Sequence, residues 1–396
     1  IVLVIRSFWL VALALIITSE AEENVEALSS VVESANQFSS SFSKTVANHN
    51  PGNLITSPLV VNINLAIVAF GACGSTKAQF RNVLHLPASD NLIASGYRSL
   101  IDNLNSMKHN EVGLAYKFFA RAGLDIKLCF KSIAELYFRS SFQSLNFTQS
   151  QEAANIINSW AKENTKSVVT EIVTPELLLV SAVYFKGQWK YGFDSKLTQD
   201  LPFHISRTEV KNVPIMYRAG NYEYGVLPEY NARFVVIPYM VSLEGKGTNG
   251  DELSMIIILP NEIDGLSVVE NKLQNTNFTD ILSRRCERNI RLWLPKFKVE
   301  STLELNDVLK EMGLTDAFGP HANFSDITDD DIGLSDVIQK AHIEVDELGS
   351  EVAVLKLIIS MINCMLIGLI NLHERACVVS FDELVSRLIF CISAAL

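Results

Sequence analysis

The stretch at residues 336–356, DVIQKAHIEVDELGSEVAVLK, organises the rest of the chain. Its first half alternates between apolar and polar side chains with a period of two residues, which is typical of a β-strand. A polar run at 346–351 follows and contains Gly349, so we expect the chain to leave the sheet for the surface there. Small and β-branched residues come next and carry no helix signal. The pattern predicts a strand, a mobile joint and a segment that can itself become a strand.

This stretch resembles the hinge of the reactive-centre loop of serpins, in which Gly-Thr/Ser-Glu-Ala-Ala-Ala follows a sheet strand and leads into an exposed bait loop. Valines 352 and 354 stand where that family prefers alanine. In inhibitory serpins a protease cuts the loop, and the hinge then inserts into the central sheet together with the acylated enzyme. The resemblance implies hinge positions at Glu347, Gly349, Ser350, Glu351, Val352 and Ala353.

Other motifs follow one another in serpin order over residues 26–354. The longest, NLITSPLVVNINLAIVAFGACGSTKAQFRNVLHLP at 53–87, places Ser57 and Pro58 at the start of an apolar helix that should be buried. LLLVSAVYFKGQWKYGFD at 177–194 is similar to a second motif. The resemblance implies an α+β serpin fold with three β-sheets and about nine helices, in one domain over residues 22–396.

Periodicity and capping residues predict the boundaries of the individual elements. Helices are expected over 26–46, 58–70, 130–142 and 153–165, with one more opened by Ser75 and another opened by a capping box at 301–304. Strands are expected over 177–194, with a turn at 186–187, and over 233–239, 253–260 and 290–297.

The resemblance also implies a sheet-opening region at Ser57, Ser181, Trp189 and Gln339. In serpins, polar residues at three of these positions hold two strands together until the loop separates them. The family usually has Asn at the position of Ser181 and often His at that of Gln339, and Val60 stands where a second serine is common. The alternative interpretation is a set of ordinary core hydrogen bonds and, at Trp189, a packed aromatic ring.

The segment after the hinge departs from the family pattern. Residues 357–369 are almost all apolar, and the family spacing places the scissile bond at Asn363–Cys364. An inserting strand would turn Lys356 inward, where an unpaired ammonium costs several kcal/mol. The closing serpin motifs H-P-F and L-F-x-G-R do not occur in residues 355–396. A tail altered by splicing or a frame shift, a divergent tail and a short membrane anchor are the three interpretations, and the lost core strands favour the first.

Composition and the remaining motifs restrict the function. The net charge of −11 argues against a nucleic-acid or anionic-membrane partner. Residues 1–21 read as a signal peptide, and Asn146, Asn277 and Asn323 begin glycosylation sequons. The G-x-G-x-x-G at 245–250 leads into a strand rather than a helix, so it predicts a connecting loop. No cysteine or histidine spacing fits a metal site, and we expect no cofactor and a monomer.

We therefore expect a secreted, extracellular serpin, not an enzyme, that inhibits a serine protease by loop cleavage and insertion. The uncharged apolar loop suits a chymotrypsin- or elastase-like target. The alternative is a non-inhibitory serpin that serves as a carrier, storage or binding protein.

Overall fold

The computed structural model describes residues 2–50, 53–106, 111–164, 177–240, 253–273, 278–360 and 389–394. Within these ranges the helices are α1 Val2–His49, α2 Pro58–Ala69, α3 Gly74–Val83, α4 Asp90–Ser106, α5 Leu128–Phe138, α6 Ser150–Asn164, α7 Leu266–Leu273, α8 Phe278–Ser283 and α9 Asn306–Glu311. The strands are β1 Glu111–Arg121, β2 Ser140–Leu145, β3 Leu177–Gln188, β4 Gln199–His204, β5 Val210–Leu227, β6 Ala232–Pro238, β7 Leu253–Pro260, β8 Cys286–Pro295, β9 Phe297–Glu304, β10 Leu334–Val345, β11 Gly349–Ser360 and β12 Ile389–Ala394. Of the helices described, none combines the length and apolar character needed to cross a bilayer.

The largest sheet has six strands in the order β2-β1-β3-β11-β10-β9. Strand β11, which begins with the hinge, lies between β3 and β10 and is antiparallel to both. The chain turns at residues 346–348, where Asp346 Oδ1 accepts hydrogen bonds from the backbone of Leu348 at 2.8 Å and Gly349 at 3.0 Å. The polar run thus makes a tight turn with Leu348 exposed, and the chain re-enters the sheet at once.

The other strands form two sheets that share the long strand β5. Residues 210–215 of β5 pair with β4 and residues 215–224 with β8, whereas residues 223–227 pair with β6, which leads on to β7 and β12. Strand β12 comes from the atypical tail, so residues 389–394 supply an edge strand even though the expected closing motifs are missing. The α+β fold with three sheets and nine helices is confirmed for the part of the chain described.

Helix α2 lies beneath the large sheet and is buried along almost its whole length. Its sequence, PLVVNINLAIVA, is apolar on all faces, so only a site covered on every side satisfies it. One face of α1 packs into the same core through Val31, Phe38 and Phe42, each fully buried. A smaller cluster on the other face of the sheet lies under α6.

Two predicted boundaries are wrong because strand pairing overrides the local signals. Residues 301–304, expected to be a capping box, form the end of β9 in register with β10, and the helix begins only at Asn306. The strand expected to turn at 186–187 continues to the end of β3, since Gly187 pairs there with Ser350.

Helix boundaries also differ from the expected ones. Helix α1 spans Val2–His49 rather than 26–46, and α6 spans Ser150–Asn164 rather than 153–165. Helix α5 ends at Phe138 because Arg139 takes a left-handed conformation with φ of 53°, and the chain continues as β2. Helix α3 begins at Gly74 after an N-cap at Cys73, one residue before Ser75.

Candidate loop-insertion site

The upper end of the insertion site is held by Glu347 in the turn before β11. Its carboxylate accepts hydrogen bonds from Thr198 Oγ1 at 2.8 Å and Lys296 Nζ at 2.7 Å, and its side chain is 12% exposed. Burial raises the pKa of the Glu347 carboxyl, but these two donors together outweigh burial, so the pKa lies below its usual range. The turn is thereby fixed to the loop after Phe193 and to the start of β9.

Two stacked aromatic rings lie directly under this turn. Trp189 and Tyr239 are fully buried, with ring centroids 4.8 Å apart and planes at 10°. Trp189 Nε1 donates to the carbonyl oxygen of Asp346 at 2.9 Å, and the Tyr239 hydroxyl lies 2.5 Å from Ser350 Oγ. Burial raises the pKa of Tyr239 far above its usual range, against a smaller opposing effect of the Ser350 hydrogen bond, so the phenol keeps its proton. Both ends of the turn therefore have a polar partner in the core.

Gly349 and Gly187 allow β11 to approach β3 at this point. A Cβ atom on Gly349 would lie 1.9 Å from the carbonyl oxygen of Gly187, and one on Gly187 would lie 2.5 Å from atoms of the Phe185 and Tyr239 rings. Neither position has room for a side chain.

The hinge side chains lie on both faces of the sheet. Ser350 and Val352 are 3% and 7% exposed on the face of the main core, and Ala353 is fully buried in the cluster under α6. Glu351 points to the outer face, where its carboxylate lies 3.3 Å from Lys186 Nζ. Each of these hinge residues therefore suits its position in a buried central strand: the small or apolar side chains face the core and the charged one faces outward.

Two polar side chains lie under the middle of the sheet, one on each side of β11. Gln339 Oε1 on β10 accepts hydrogen bonds from Thr56 Oγ1 at 2.5 Å and Ser57 N at 3.0 Å, and Gln339 Nε2 donates to Ser57 O at 3.2 Å. Ser181 Oγ on β3 accepts a hydrogen bond from Asn64 Nδ2 at 2.6 Å. The structure therefore brings Gln339 and Ser57 together but separates both from Ser181.

Strand β11 lies between Ser181 and Gln339, and it carries Lys356 at the same level along the sheet. Lys356 is in register with Ser181 on one side and with Gln339 on the other. Ser181 and Gln339 are each fully buried. The departure from the family pattern thus falls at a level where both neighbouring strands carry a fully buried polar side chain.

Sequence reasoning missed Asn64 and Tyr239. Asn64 is one of two asparagines in an otherwise apolar helix, and that contrast is a signal that was present in the sequence. Tyr239 follows strand β6 and gives no local sign that it will contact the hinge.

The sequons that the structure describes lie at the surface. Asn146 and Asn323 are exposed, while Phe324 is buried and Phe147 packs against the cluster under α6. Asn277 and the expected scissile bond Asn363–Cys364 lie outside the described residues. Among the side chains described, no group of three or more His, Cys, Asp or Glu is arranged to hold a metal ion.

The six-stranded sheet holds the segment after the hinge as a central strand, which defines the class of proteins with a loop-inserted β-sheet. The chain matches the family model Serpin (serine protease inhibitor) over residues 33–367, and it belongs to the serpin family. Alaserpin of Manduca sexta is 33% identical over 336 residues, which cover 81% of this chain and 82% of alaserpin. Antichymotrypsin-2 of Bombyx mori is 31% identical over 337 residues, which cover 82% and 87% of the two chains.

Solved structures with the same fold include forms with a cut loop. Cleaved Serpin 42Da matches with a TM-score of 0.78 and 28% identity, over 85% of this chain and 90% of that chain. A loop-inserted, cleaved ovalbumin mutant matches with a TM-score of 0.74 and 26% identity, over 83% and 91% of the two chains. The name antichymotrypsin states an inhibitory activity and the name ovalbumin states none, so family membership leaves both kinds of function open.

Proposed function

We propose that this chain is a secreted serpin that inhibits a serine endopeptidase when its loop is cut and residues 349–360 become a strand of the central sheet. The observation that carries the proposal is the fit of that strand. Each of its residues is in register with a residue of β3, and Ser350, Val352 and Ala353 are buried with partners in the core. A segment that needs only to be exposed would not be expected to pair with two neighbouring strands and also pack against the core on both faces of the sheet.

The energetic argument rests on the same fit. Strand β11 completes hydrogen-bonded ladders with both neighbours, and Ser350 gains a buried hydroxyl partner. A central strand pairs its backbone groups on both sides, which an exposed loop leaves to water. Insertion therefore releases free energy that can move and distort an acylated protease.

The target class follows from the loop and from the names of relatives. Residues 357–369 contain no charged side chain, which suits a chymotrypsin- or elastase-like primary pocket better than a trypsin-like one. Antichymotrypsin-2 is named for such an enzyme. Secretion is supported by the signal-peptide pattern and by the exposed Asn146 and Asn323.

A non-inhibitory serpin is the second candidate, and one observation favours it. The register places Lys356 between two fully buried polar positions, where an ammonium is expensive to bury. Slow insertion would let the protease complete hydrolysis and leave before it is trapped.

The test mixes the purified full chain with chymotrypsin, an elastase and trypsin. Inhibition predicts a complex that survives denaturing electrophoresis with chymotrypsin or the elastase. It also predicts no such complex with the same enzymes after their active-site serine has been blocked. Cleavage of the loop without a complex, at equimolar enzyme, would contradict inhibition and support the second candidate.

A further inference from the structure

Four exposed apolar side chains surround the turn that precedes β11. Leu348, in the turn itself, is 74% exposed, and Tyr191, in the loop after β3, is 50% exposed. Leu197 and Met240 are exposed as well. Single exposed apolar side chains are common on soluble proteins, whereas a cluster of them marks a binding surface. We call these four side chains the hinge-end patch.

Backbone hydrogen bonds hold the loop after β3 against the turn. Trp189 N donates to the carbonyl oxygen of Leu348 at 2.9 Å, and Phe193 N donates to that of Glu347 at 2.9 Å. Tyr191 stands midway between these two bonds in the chain. Tyr191 therefore lies beside the turn, with its exposed ring at the same end of the molecule as Leu348.

Neighbouring contacts bring Leu197 and Met240 to the same end. Thr198, next to Leu197, donates its hydroxyl to the Glu347 carboxylate, and Met240 N donates to the carbonyl oxygen of Gln188 at 2.7 Å. Gln188 is the last residue of β3 and pairs with the first residue of β11. The four side chains therefore come from three segments that meet where β11 begins.

The ring of Tyr191 is held in place from behind. The guanidinium carbon of Arg218 lies 4.8 Å from the centroid of this ring, and Arg218 Nη1 donates to the hydroxyl of the buried Tyr222 at 2.7 Å. A cation–π contact of this kind fixes one face of the ring while the rest stays open to solvent. A preorganised side chain loses little entropy when a partner covers it, and Tyr and Met are both enriched at protein interfaces.

The patch does not depend on insertion of the loop. The turn is held by the side chain of Glu347 and by the carbonyl oxygen of Asp346, through the contacts described above. Neither group belongs to β11, which begins at Gly349. We therefore expect the same four side chains to be exposed together in the uncut chain, when residues 349–360 are outside the sheet.

We propose that the hinge-end patch docks the serine protease that cuts the loop, and that it thereby sets the rate of their encounter. This inference rests on the proposed function, because it takes a serine protease as the partner. The roughly 14 residues between Gly349 and the expected scissile bond span at most about 50 Å when extended. A protease domain of about 250 residues has a radius of gyration of about 18 Å, and so a diameter of about 45 Å. A protease that holds the loop can therefore reach the patch, which is continuous with the loop through Leu348.

The structure also separates the encounter from the trapped state. Strand β11 runs from Gly349, opposite Gln188, to Ser360, opposite Leu177 at the other end of β3. Its 12 residues cover about 40 Å at about 3.3 Å per residue. A protease attached to the cut end is thus carried away from the patch when the strand inserts. The patch should affect how fast the protease associates and not how firmly the trapped protease is held.

Loss of the patch should slow the reaction with the protease. The association rate constant contains the affinity of the encounter complex, and truncation of a well-packed contact residue commonly lowers an affinity by about fivefold or more. We expect Leu348→Ser to react about threefold more slowly than the wild type. The combined variant Tyr191→Ala, Leu197→Ser and Met240→Ser, which leaves the turn unchanged, should react about tenfold more slowly.

The experiment uses the full uncut chain with chymotrypsin and with an elastase. Progress curves of residual enzyme activity give the association rate constant, and titration gives the number of serpin molecules used per enzyme molecule. If the chain is cut without trapping, kcat/KM for loop cleavage, followed by electrophoresis, takes the place of the association rate constant. The matched control is Leu128→Ser with Leu136→Ser, which removes two exposed leucines from the surface of α5. The Tm of each uncut variant shows that it is folded.

Slower reaction of Leu348→Ser and of the combined variant supports docking at the patch, provided that the α5 control keeps the wild-type rate and the number of serpin molecules per enzyme is unchanged. Wild-type rates for a folded combined variant would overturn it, as would an equal loss of rate in the α5 control. A wild-type dimer that the combined variant abolishes without a change in rate would also overturn it, since the patch would then bind a second copy of the chain.

The outcome for the proposed function is read separately. Cleavage of the wild type without a stable complex contradicts inhibition, while the cleavage rates of the variants still test docking. A trapped protease with equal rates for all variants overturns docking alone. Failure of both enzymes to cut the wild-type loop would contradict the proposed function and docking together.

Discussion

Gly349→Ala is the substitution that most directly tests the packing of the inserted strand. The new Cβ would lie 1.9 Å from the Gly187 oxygen, 2.9 Å from the Gly187 carbonyl carbon and 3.0 Å from the Gln188 Cα. All three are backbone atoms and cannot rotate away. Ordinary contact begins at 3.4 Å, so the strands must separate by 1.5 Å, the difference between 3.4 and 1.9 Å.

A separation of that size breaks the local ladder. A typical N···O distance of about 2.9 Å would grow beyond about 3.5 Å, where a hydrogen bond is lost. The pairs Gly349–Gln188 and Ser350–Gly187 would be affected, and with them the contact of Ser350 with Tyr239. Overpacking costs about 1–3 kcal/mol and each lost hydrogen bond about 0.5–1.5 kcal/mol, so the inserted form should lose about 2–6 kcal/mol.

The assay compares Tm before and after the loop is cut by a protease that the chain does not trap. Cleavage should raise the Tm of the wild type because β11 enters the sheet. In Gly349→Ala that rise should be smaller by roughly 3–10 °C, since the lost free energy acts on the inserted form. The matched control is Gly113→Ala on β1 of the same sheet, where a Cβ meets nothing within 4 Å.

Two results would refute this reasoning. An equal rise for Gly349→Ala, Gly113→Ala and the wild type would show that the hinge does not pack against Gly187. A fall in the Tm of uncut Gly349→Ala by the whole expected amount would show that the uncut chain in solution keeps β11 in the sheet, as it lies in the structure, and does not take it up on cleavage, because a hinge outside the sheet has room for the methyl group.

Three further predictions concern neighbouring features. Lys356→Thr should remove the cost of burying an ammonium and raise the ratio of trapped to released protease, measured by electrophoresis; an unchanged ratio would show that the lysine is solvated in the inserted form. Glu347→Gln should lower the Tm of the loop-cleaved form at pH 7 by weakening the contact with Lys296, which contributes about 1.5–3 kcal/mol as a charged hydrogen bond. Folding lowers the pKa of Glu347, so the stabilisation provided by its carboxylate is complete above the ordinary pKa of 4.5. That stabilisation is lost as the pH falls through the lower pKa of the folded state. The plots of Tm against pH for the wild type and for Glu347→Gln should therefore converge in that range. Asn146→Gln should remove the mass of one N-glycan from protein secreted by eukaryotic cells, and an unchanged mass would show that this sequon is not used.

The turn at 346–348 and the strand that follows it could be predicted from sequence because their constraints are local. A polar run with a glycine after an alternating strand predicts a turn, and the β-branched residues after it favour a strand. The burial and the start of α2 could also be predicted, since apolar residues lie on all faces of the helix and Pro58 marks its first position. These features depend on the backbone of one segment, so its residues suffice to predict them.

Features that depend on a distant partner could not be read in this way. The sequence predicted a turn at Gly187. The structure instead requires glycine there for the close approach of Gly349, which lies 162 positions later in the chain (349 minus 187). Residues 301–304 satisfied a capping box, yet pairing with β10 made them a strand. Asn64 was visible as a polar exception in α2, but only the fold shows that Ser181 is its partner.

Under the proposed function, the central place of β11 also limits how often one molecule can act. Without it, β3 and β10 would form one parallel ladder; with it, the sheet has two antiparallel ladders instead, and antiparallel pairing is the slightly more stable kind. To leave, the strand would have to break its backbone hydrogen bonds on both sides, each worth about 0.5–1.5 kcal/mol net, and expose Val352 and Ala353 to water. No step of this strand insertion returns the sheet to its original pairing. Under the proposed function each molecule is therefore consumed by a single event, and the total inhibitory capacity is set by the number of molecules supplied rather than by turnover.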